Sequence, residues 1–227
     1  NRLLGVVRSA YLAHASDAVI RRKGSSGGVV TAMLLDLVGR GEASGAVLFG
    51  PHREEPWRGW GQIASSPGEI AAAGQSRYHL SPLNAALREM HDARGDYAYV
   101  GLPCQIHGLR KLQGAGWRRA DLRLSPIIGI YCGNNLYYEA TRVMLRKLGV
   151  KRPEDLSALS YREGAWPGSF AARTPDGVVR SISKLDFNQV IPFYINRRCL
   201  FCVDLTNELS DISVGDGWAK EGSGGEG

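Results

Sequence analysis

With 227 residues, 44% of them hydrophobic, the chain can bury a full core as one large domain or one domain with an appendage, and it needs no disulfide staples. It has no run of about 18 apolar residues and no basic-then-apolar leader, so no membrane span or export is expected and a cytoplasmic protein is the default. The net charge of +6 is carried partly by Arg21-Arg22-Lys23, Arg118-Arg119 and Arg197-Arg198. These clusters suit phosphates or an acidic protein partner, or a plain solvated surface; no nucleic acid is expected, because no aromatic-interleaved basic stripe accompanies them.

Neither end reads as natural. Asn1 is no initiator and Gly222–Gly227 is linker-like, so a piece of a longer polypeptide is expected. From Gly28 to Gly39 the residues Val29, Val30, Met33, Leu34, Leu37 and Val38 recur at helical spacing, which predicts a helix. Ala46–Phe49 reads as a short buried strand, and the Pro-, Trp- and Arg-rich stretch from Pro51 to Gly61 as a loop.

Ser81-Pro82-Leu83 starts another predicted helix, running through Leu87 and Met90. Two strand-then-helix units follow, Tyr97–Val100 with Gln105–Leu112 and Ile127–Tyr131 with Leu136–Leu148. That alternation predicts an α/β fold with a largely parallel, helix-covered sheet. Beyond about Val150 the pattern changes: Ser169–Thr174 and Val178–Ser183 flank Pro175-Asp176-Gly177 as a β-hairpin. The expected division is therefore an α/β core over residues 1–150 and a smaller β-rich C-terminal subdomain over 151–227, incomplete at its end.

The four cysteines are two isolated residues, Cys104 and Cys132, and one Cys-x-x-Cys pair, Cys199 and Cys202. Such a pair serves as a redox dithiol, as half of a zinc site or as two ligands of an iron–sulfur cluster. Pro192 and Arg197-Arg198 precede it, where a redox dithiol usually opens a helix straight after a strand. A zinc ribbon normally supplies two close pairs, and this chain has one. Cys104 and Cys132 each lie just past a predicted parallel strand, and the carboxyl ends of such strands open onto one crevice. Iron–sulfur, zinc and unconnected buried cysteines all remain open on spacing alone.

Two glycine- and serine-containing loops stand out. Ser25, Ser26, Gly27 and Gly28 precede the first helix, so that backbone N–H groups and hydroxyls converge where a phosphate can bind, or where a serine simply caps the helix. The second loop, with Gly74, Ser76, Arg77 and Tyr78, offers a cation for phosphate and a ring able to pack on a flat group, or is only a polar turn. His79 and His107 lie nearby, and the sequence assigns neither of them, nor any other residue, an acid–base role.

In chain order the carrying segments are Lys23–Ala32, Gly101–Ile106, Gly129–Gly133, Tyr161-Arg162 with Trp166-Pro167-Gly168, and Cys199–Asp204 running into Asp211–Asp216. In these the chain resembles the family of beta subunits of deazaflavin-coenzyme hydrogenases and dehydrogenases, which includes hydroxymethyl-chlorophyll reductase-like proteins. The resemblance implies an FAD-binding α/β module in which Cys104, Cys132, Cys199 and Cys202 ligate one [4Fe–4S] cluster, with both loops in the flavin site. It also implies a small-molecule hydride donor or acceptor, a deazaflavin coenzyme or a tetrapyrrole, and a one-electron partner, ferredoxin or a partner redox subunit. A zinc-stabilised binding module is the rival reading. The 227 residues include no ferredoxin-like segment of the kind larger members carry upstream, so a second cluster is not expected from them, and Gln75-Ser76-Arg77 stands where Ser followed by Lys is expected.

Overall fold

A computed structural model describes residues 6–116, 122–165 and 167–217. Arg118-Arg119, Trp166 and the Gly222–Gly227 tail lie outside the described residues. In chain order the elements are α1 (Ala18–Lys23), α2 (Val29–Gly39), β1 (Gly45–Pro51), β2 (Gly59–Ala64) and α3 (Pro67–Ala73), then a 3-10 helix (Leu83–Asp92). Next come β3 (Gly95–Gly101), α4 (Pro103–Gly114), β4 (Leu122–Ile130) and α5 (Glu139–Lys147). A short 3-10 helix (Pro153–Asp155), β5 (Ala158–Glu163), β6 (Ser169–Arg173), β7 (Val179–Ser183), α6 (Lys184–Asn188), α7 (Ile191–Tyr194), a 3-10 helix (Arg197–Phe201) and β8 (Ile212–Val214) complete the described residues.

The central sheet has the order β2-β1-β3-β4-β8, and every pair is parallel except β1 with β2. Its inner strands β1 and β3 are buried on both faces over most or half of their length, as a helix-covered parallel sheet requires, while the edge strands β2 and β8 are partly exposed. Alternate side chains divide between two cores: Val47, Tyr99 and Ile127 face α4 and the Leu83–Asp92 helix, while Ala46, Leu48, Ala98, Val100 and Ile128 face α2 and α3. Val30, Met33, Leu34 and Leu37 form the stripe that seats α2 there, so its sequence periodicity is also its packing face. The smaller antiparallel sheet β5-β6-β7 encloses a third core with α5 and α6, around Met144, Tyr161, Phe170 and Phe187.

The α/β class, the parallel sheet and the β6–β7 hairpin follow the sequence reading. Three local features differ from it. Residues 59–64 form a strand paired to β1, not the end of a loop. Gly59 and Gly61 hid it: a side chain on Gly61 would stand 2.7 Å from the Leu83 Cα, and one on Gly59 would run into the Phe49 ring. The segment after Pro82 is a 3-10 helix with a kink at Met90. The last long helix begins at Glu139, because Leu136 is taken up by bridges to His79 and Ile195.

The chain beyond residue 150 does not stay with the small sheet. β8 returns to the central sheet as the neighbour of β4, pairing Ile128, Gly129 and Ile130 with Ile212, Ser213 and Val214. Among the described residues no helix is long and apolar enough to cross a membrane.

Candidate functional site

Cys104 lies in the first turn of α4, directly after β3, and Cys132 follows β4 by one residue. Cys199 lies in the 3-10 helix that Asn196 caps by accepting from the Arg198 N–H, and Cys202 ends it with an N–H bond to the Cys199 carbonyl at 3.2 Å. Backbone pairings bring these segments together. The Cys132 N–H donates to the Leu205 carbonyl at 3.0 Å, the Asn196 N–H to the Asn135 carbonyl at 2.9 Å, and the Asn135 N–H to the Cys199 sulfur at 3.3 Å.

The four thiols therefore share one electrostatic neighbourhood. Burial, then the charges of Cys199 and Cys202, push the Cys104 thiol up. Burial, then Cys104, Cys199 and Cys202, push Cys132 to about 12. Four thiolates are stable together only around a positively charged centre, which is the condition metal ligation meets. Among the described residues no three His, Cys, Asp or Glu side chains are drawn together tightly enough to hold a single ion, so the thiols form a neighbourhood, not a closed shell.

One flank of α4 holds the segment after Cys202. Cys104, His107 and Arg110 are three residues apart and so lie along one flank of the helix. His107 Nε2 meets the buried Asp204 carboxylate at 2.9 Å, while Arg110 donates to the Leu209 carbonyl and to Asp211, each at 3.0 Å. The other Asp211 oxygen accepts from the Ile127 N–H at 2.8 Å, and Asn207 donates to the Ile130 carbonyl at 2.6 Å. Around these anchors Leu200, Phe201 and Val203 are 68%, 84% and 92% exposed, so the rim of the cysteine neighbourhood is apolar.

The two loops also meet. The Ser76 N–H donates to Ser25 Oγ at 2.9 Å, across 51 residues of sequence. Neither serine caps α2; its cap is Gly28 in the left-handed conformation, with no side-chain bond to the helix N–H groups. The ordinary-capping explanation of Ser25 and Ser26 therefore does not apply. Gly28 has its own structural reason, since a Cβ there would stand 2.7 Å from the Ile20 carbonyl oxygen.

Arg77 is turned inward, donating to the Ala73 and Gln75 carbonyls at 3.3 and 3.2 Å, and burial pulls its guanidinium down to about 10. Tyr78 is walled in: Lys184 Nζ stands 4.0 Å from its ring centroid, with Tyr161 edge-on at 5.5 Å and Phe187 tilted at 5.9 Å. His79 is neutral and structural. It accepts from the Gly59 N–H through Nε2 at 2.9 Å, and burial lowers it to about 4.

Sequence reasoning missed the polar groups that close this loop pair. Arg162, on β5, donates to Ser26 Oγ at 3.3 Å and pairs with Asp216 at 3.5 Å, while Ser26 also bonds Asp216. Both Arg162 and Asp216 stand in the shared segments quoted above, which was the available signal. Lys184 had none. The two centres are adjacent: the Tyr131 N–H donates to the Val214 carbonyl at 2.8 Å and the Tyr131 ring packs on Gly215. Cys132 and Asp216 are the next residues along the chain, just past β4 and β8.

Residues 10–88 match the N-terminal model, and residues 95–226 the C-terminal model, of the coenzyme F420 hydrogenase/dehydrogenase beta subunit. The chain belongs to this family. Among curated relatives, the beta subunit of coenzyme F420 hydrogenase from Methanococcus voltae is 29% identical over 95% of this chain and 76% of its own length. A coenzyme F420-dependent sulfite reductase from Methanocaldococcus jannaschii is 29% identical over 85% of this chain and 31% of its own. A solved chain from the F420-reducing [NiFe] hydrogenase complex of Methanosarcina barkeri superposes with a TM-score of 0.68 at 22% identity, covering 89% of this chain and 68% of that one. As a member of the family the chain shares its fold with part of a redox complex, and the family is one of redox electron transfer.

Proposed function

We propose that the chain is an FAD- and [4Fe–4S]-dependent oxidoreductase module coupling hydride exchange with a small-molecule partner to one-electron transfer. Bound flavin would supply the adaptor chemistry, since it takes electrons in pairs and releases them singly. In this reading Ser25, Ser26, Gly27 and Gly28, with Gly74, Ser76, Arg77 and Tyr78, hold the FAD, and Cys104, Cys132, Cys199 and Cys202 hold the cluster.

The observation that carries it is adjacency. Four cysteines from three remote segments gather at the carboxyl ends of β3 and β4, one residue from the Tyr131–Gly215 contact that separates them from the paired loops. The residues present fit the groups. The donor set is four sulfurs with backbone N–H groups beside them, and the loops leave the α2 N-terminus without a side-chain cap. Arg197 and Arg198 flank the apolar rim of Leu200, Phe201 and Val203, which we assign to ferredoxin or a partner redox subunit. The relatives' names favour a deazaflavin coenzyme as the hydride partner.

Anaerobic purification of the full-length protein, followed by metal analysis and flavin release, tests the reading. The expected result is about four iron atoms and about one FAD per chain. Stoichiometric zinc without iron or flavin would support the binding-module rival instead.

A further inference from the structure

Charge around the paired loops is unbalanced. Arg162 and Lys184 approach from the small-sheet side of the molecule, and the ion pair found for either among the described residues is that of Arg162 with Asp216, at 3.5 Å. Lys184 rests its ammonium on the Tyr78 and Phe187 rings, 4.0 and 4.5 Å from their centroids, where it is half-buried. Burial and the neighbouring Arg162 hold it at about 8. Arg77, beside Tyr78 in sequence, turns one guanidinium nitrogen to its own loop's carbonyls. A carboxylate, Asp216, already bonds both Ser26 and Arg162, so the chain itself shows that this place takes an oxyanion.

We infer that Ser26, Arg162 and Lys184 form a phosphate-binding subsite, and that Asp216 is an internal competitor which an incoming phosphate displaces from Ser26 and Arg162. Two cations side by side repel, and a half-buried ammonium lacks full hydration, so a dianionic ligand relieves both costs at once. The Asp216 carboxylate offers one negative charge from an exposed position just past the three-residue strand β8. A diphosphate offers two negative charges, one on each phosphoryl group, and twice as many acceptor oxygens. The identity of the ligand as the FAD diphosphate rests on the flavin reading above; the subsite itself rests on the charges.

The test is calorimetric titration of the full-length, flavin-stripped protein with FAD, riboflavin and inorganic pyrophosphate, in the wild type and in Lys184→Met, Lys184→Arg and Asp216→Asn. Lys184→Met should weaken FAD binding by about ten- to a hundred-fold, the range for losing a charged hydrogen bond. Lys184→Arg should restore it. Asp216→Asn, which keeps a partner for Ser26 but removes the competing charge, should tighten FAD. Riboflavin, which carries no phosphate, should respond to none of the three. Opposite signs at Lys184 and Asp216 are the signature, because a merely structural role for both predicts weakening at both. If pyrophosphate follows this order while FAD does not, the subsite stands and its phosphate comes from another ligand. If the wild type binds neither flavin, the flavin reading fails and pyrophosphate alone decides the subsite. If Lys184→Met and Asp216→Asn leave both phosphate ligands unchanged, the subsite is overturned, and FAD binding by the wild type would still uphold the flavin reading.

Discussion

The cysteine neighbourhood and the paired loops lie along one edge of the central sheet and share the Tyr131–Gly215 contact, yet their charge runs in opposite directions. At the first, burial and the neighbouring sulfurs hold the Cys104 and Cys132 thiols against ionisation, so the ligand that suits the four cysteines is cationic. At the second, Arg162 and Lys184 outnumber Asp216, so the ligand that suits them is anionic. In the proposed reading the first would take the metal centre and the second the phosphorylated cofactor. The segments that build each centre differ as well. The thiols are held by backbone pairings and by α4, whereas the loops are closed by side chains from the other sheet.

The sharpest way to separate the centres is to remove one and keep the other. Serine at Cys104, Cys132, Cys199 or Cys202 should each take iron from about four atoms per chain to a small remainder, because an alcohol is a poorer ligand for iron than a thiolate. Flavin should stay, since its loops carry none of the four. Iron analysis and electron paramagnetic resonance after reduction check the first statement, and flavin release the second. Limited proteolysis should show new cleavage around 197–203 and none beyond, because His107, Arg110 and Ile127 hold Asp204–Asp211 independently of the sulfurs. Full iron in Cys104→Ser and Cys132→Ser would break the single-site picture.

The converse variant is Gly28→Ala. Gly28 has φ of 70°, and a Cβ there would lie 2.7 Å from the Ile20 carbonyl oxygen and 3.0 Å from the Ile20 Cγ2. The left-handed backbone and the forced shift of α1 together should cost about 2–3 kcal/mol. Flavin affinity should fall with it, since Ser25 and Ser26 sit between the two helices. Iron content should hold. Denaturant unfolding and flavin titration are the readouts, and unchanged stability would mean that the α1–α2 joint tolerates a side chain.

The contrast also explains what the sequence made legible. Cysteine is the one thiol donor and the chain has four, so a candidate set was visible in the letters, and the family resemblance, not the spacing, is what implied that the four act together. The parallel sheet then accounts for how Cys104 and Cys132 come near each other, because β3 and β4 end on the same side. Cations carry no such label. With 28 Lys and Arg in the chain, Arg162 is marked only by its place in the shared Tyr161-Arg162 segment and Lys184 by nothing local; the docking of β5 and α6 against Tyr78 brings both forward. Arg77, which the sequence offers as a cation for phosphate, lies with its side chain over Gly59 and donates to the Ala73 and Gln75 carbonyls. β2 escaped for the reason its glycines exist: they make room for Leu83 and carry no strand propensity.

The effect with the smallest reach, confined to acid pH, concerns protons. His79 sits among Phe49, Tyr138 and Tyr161, facing Arg77 and Arg58, and burial holds it at about 4, below the ordinary value near 6.5. Above pH 6.5 it is neutral in folded and unfolded chains alike and adds no pH dependence. Between 6.5 and 4 the unfolded chain takes up a proton that the folded chain refuses, so stability falls as pH drops, by about 3 kcal/mol at most. His79→Gln keeps an acceptor for the Gly59 N–H but does not titrate. At pH 7 the variant should be less stable by about 1 kcal/mol, from a poorer fit to the rings and to Leu80. By pH 4.5 the gap should close or reverse. Acid loss of a cluster would burden both proteins equally, so the difference between their urea midpoints isolates this one side chain. Parallel curves from pH 7 to 4.5 would show that His79 takes its proton normally, and that the wall behind the paired loops is wetter than its packing implies.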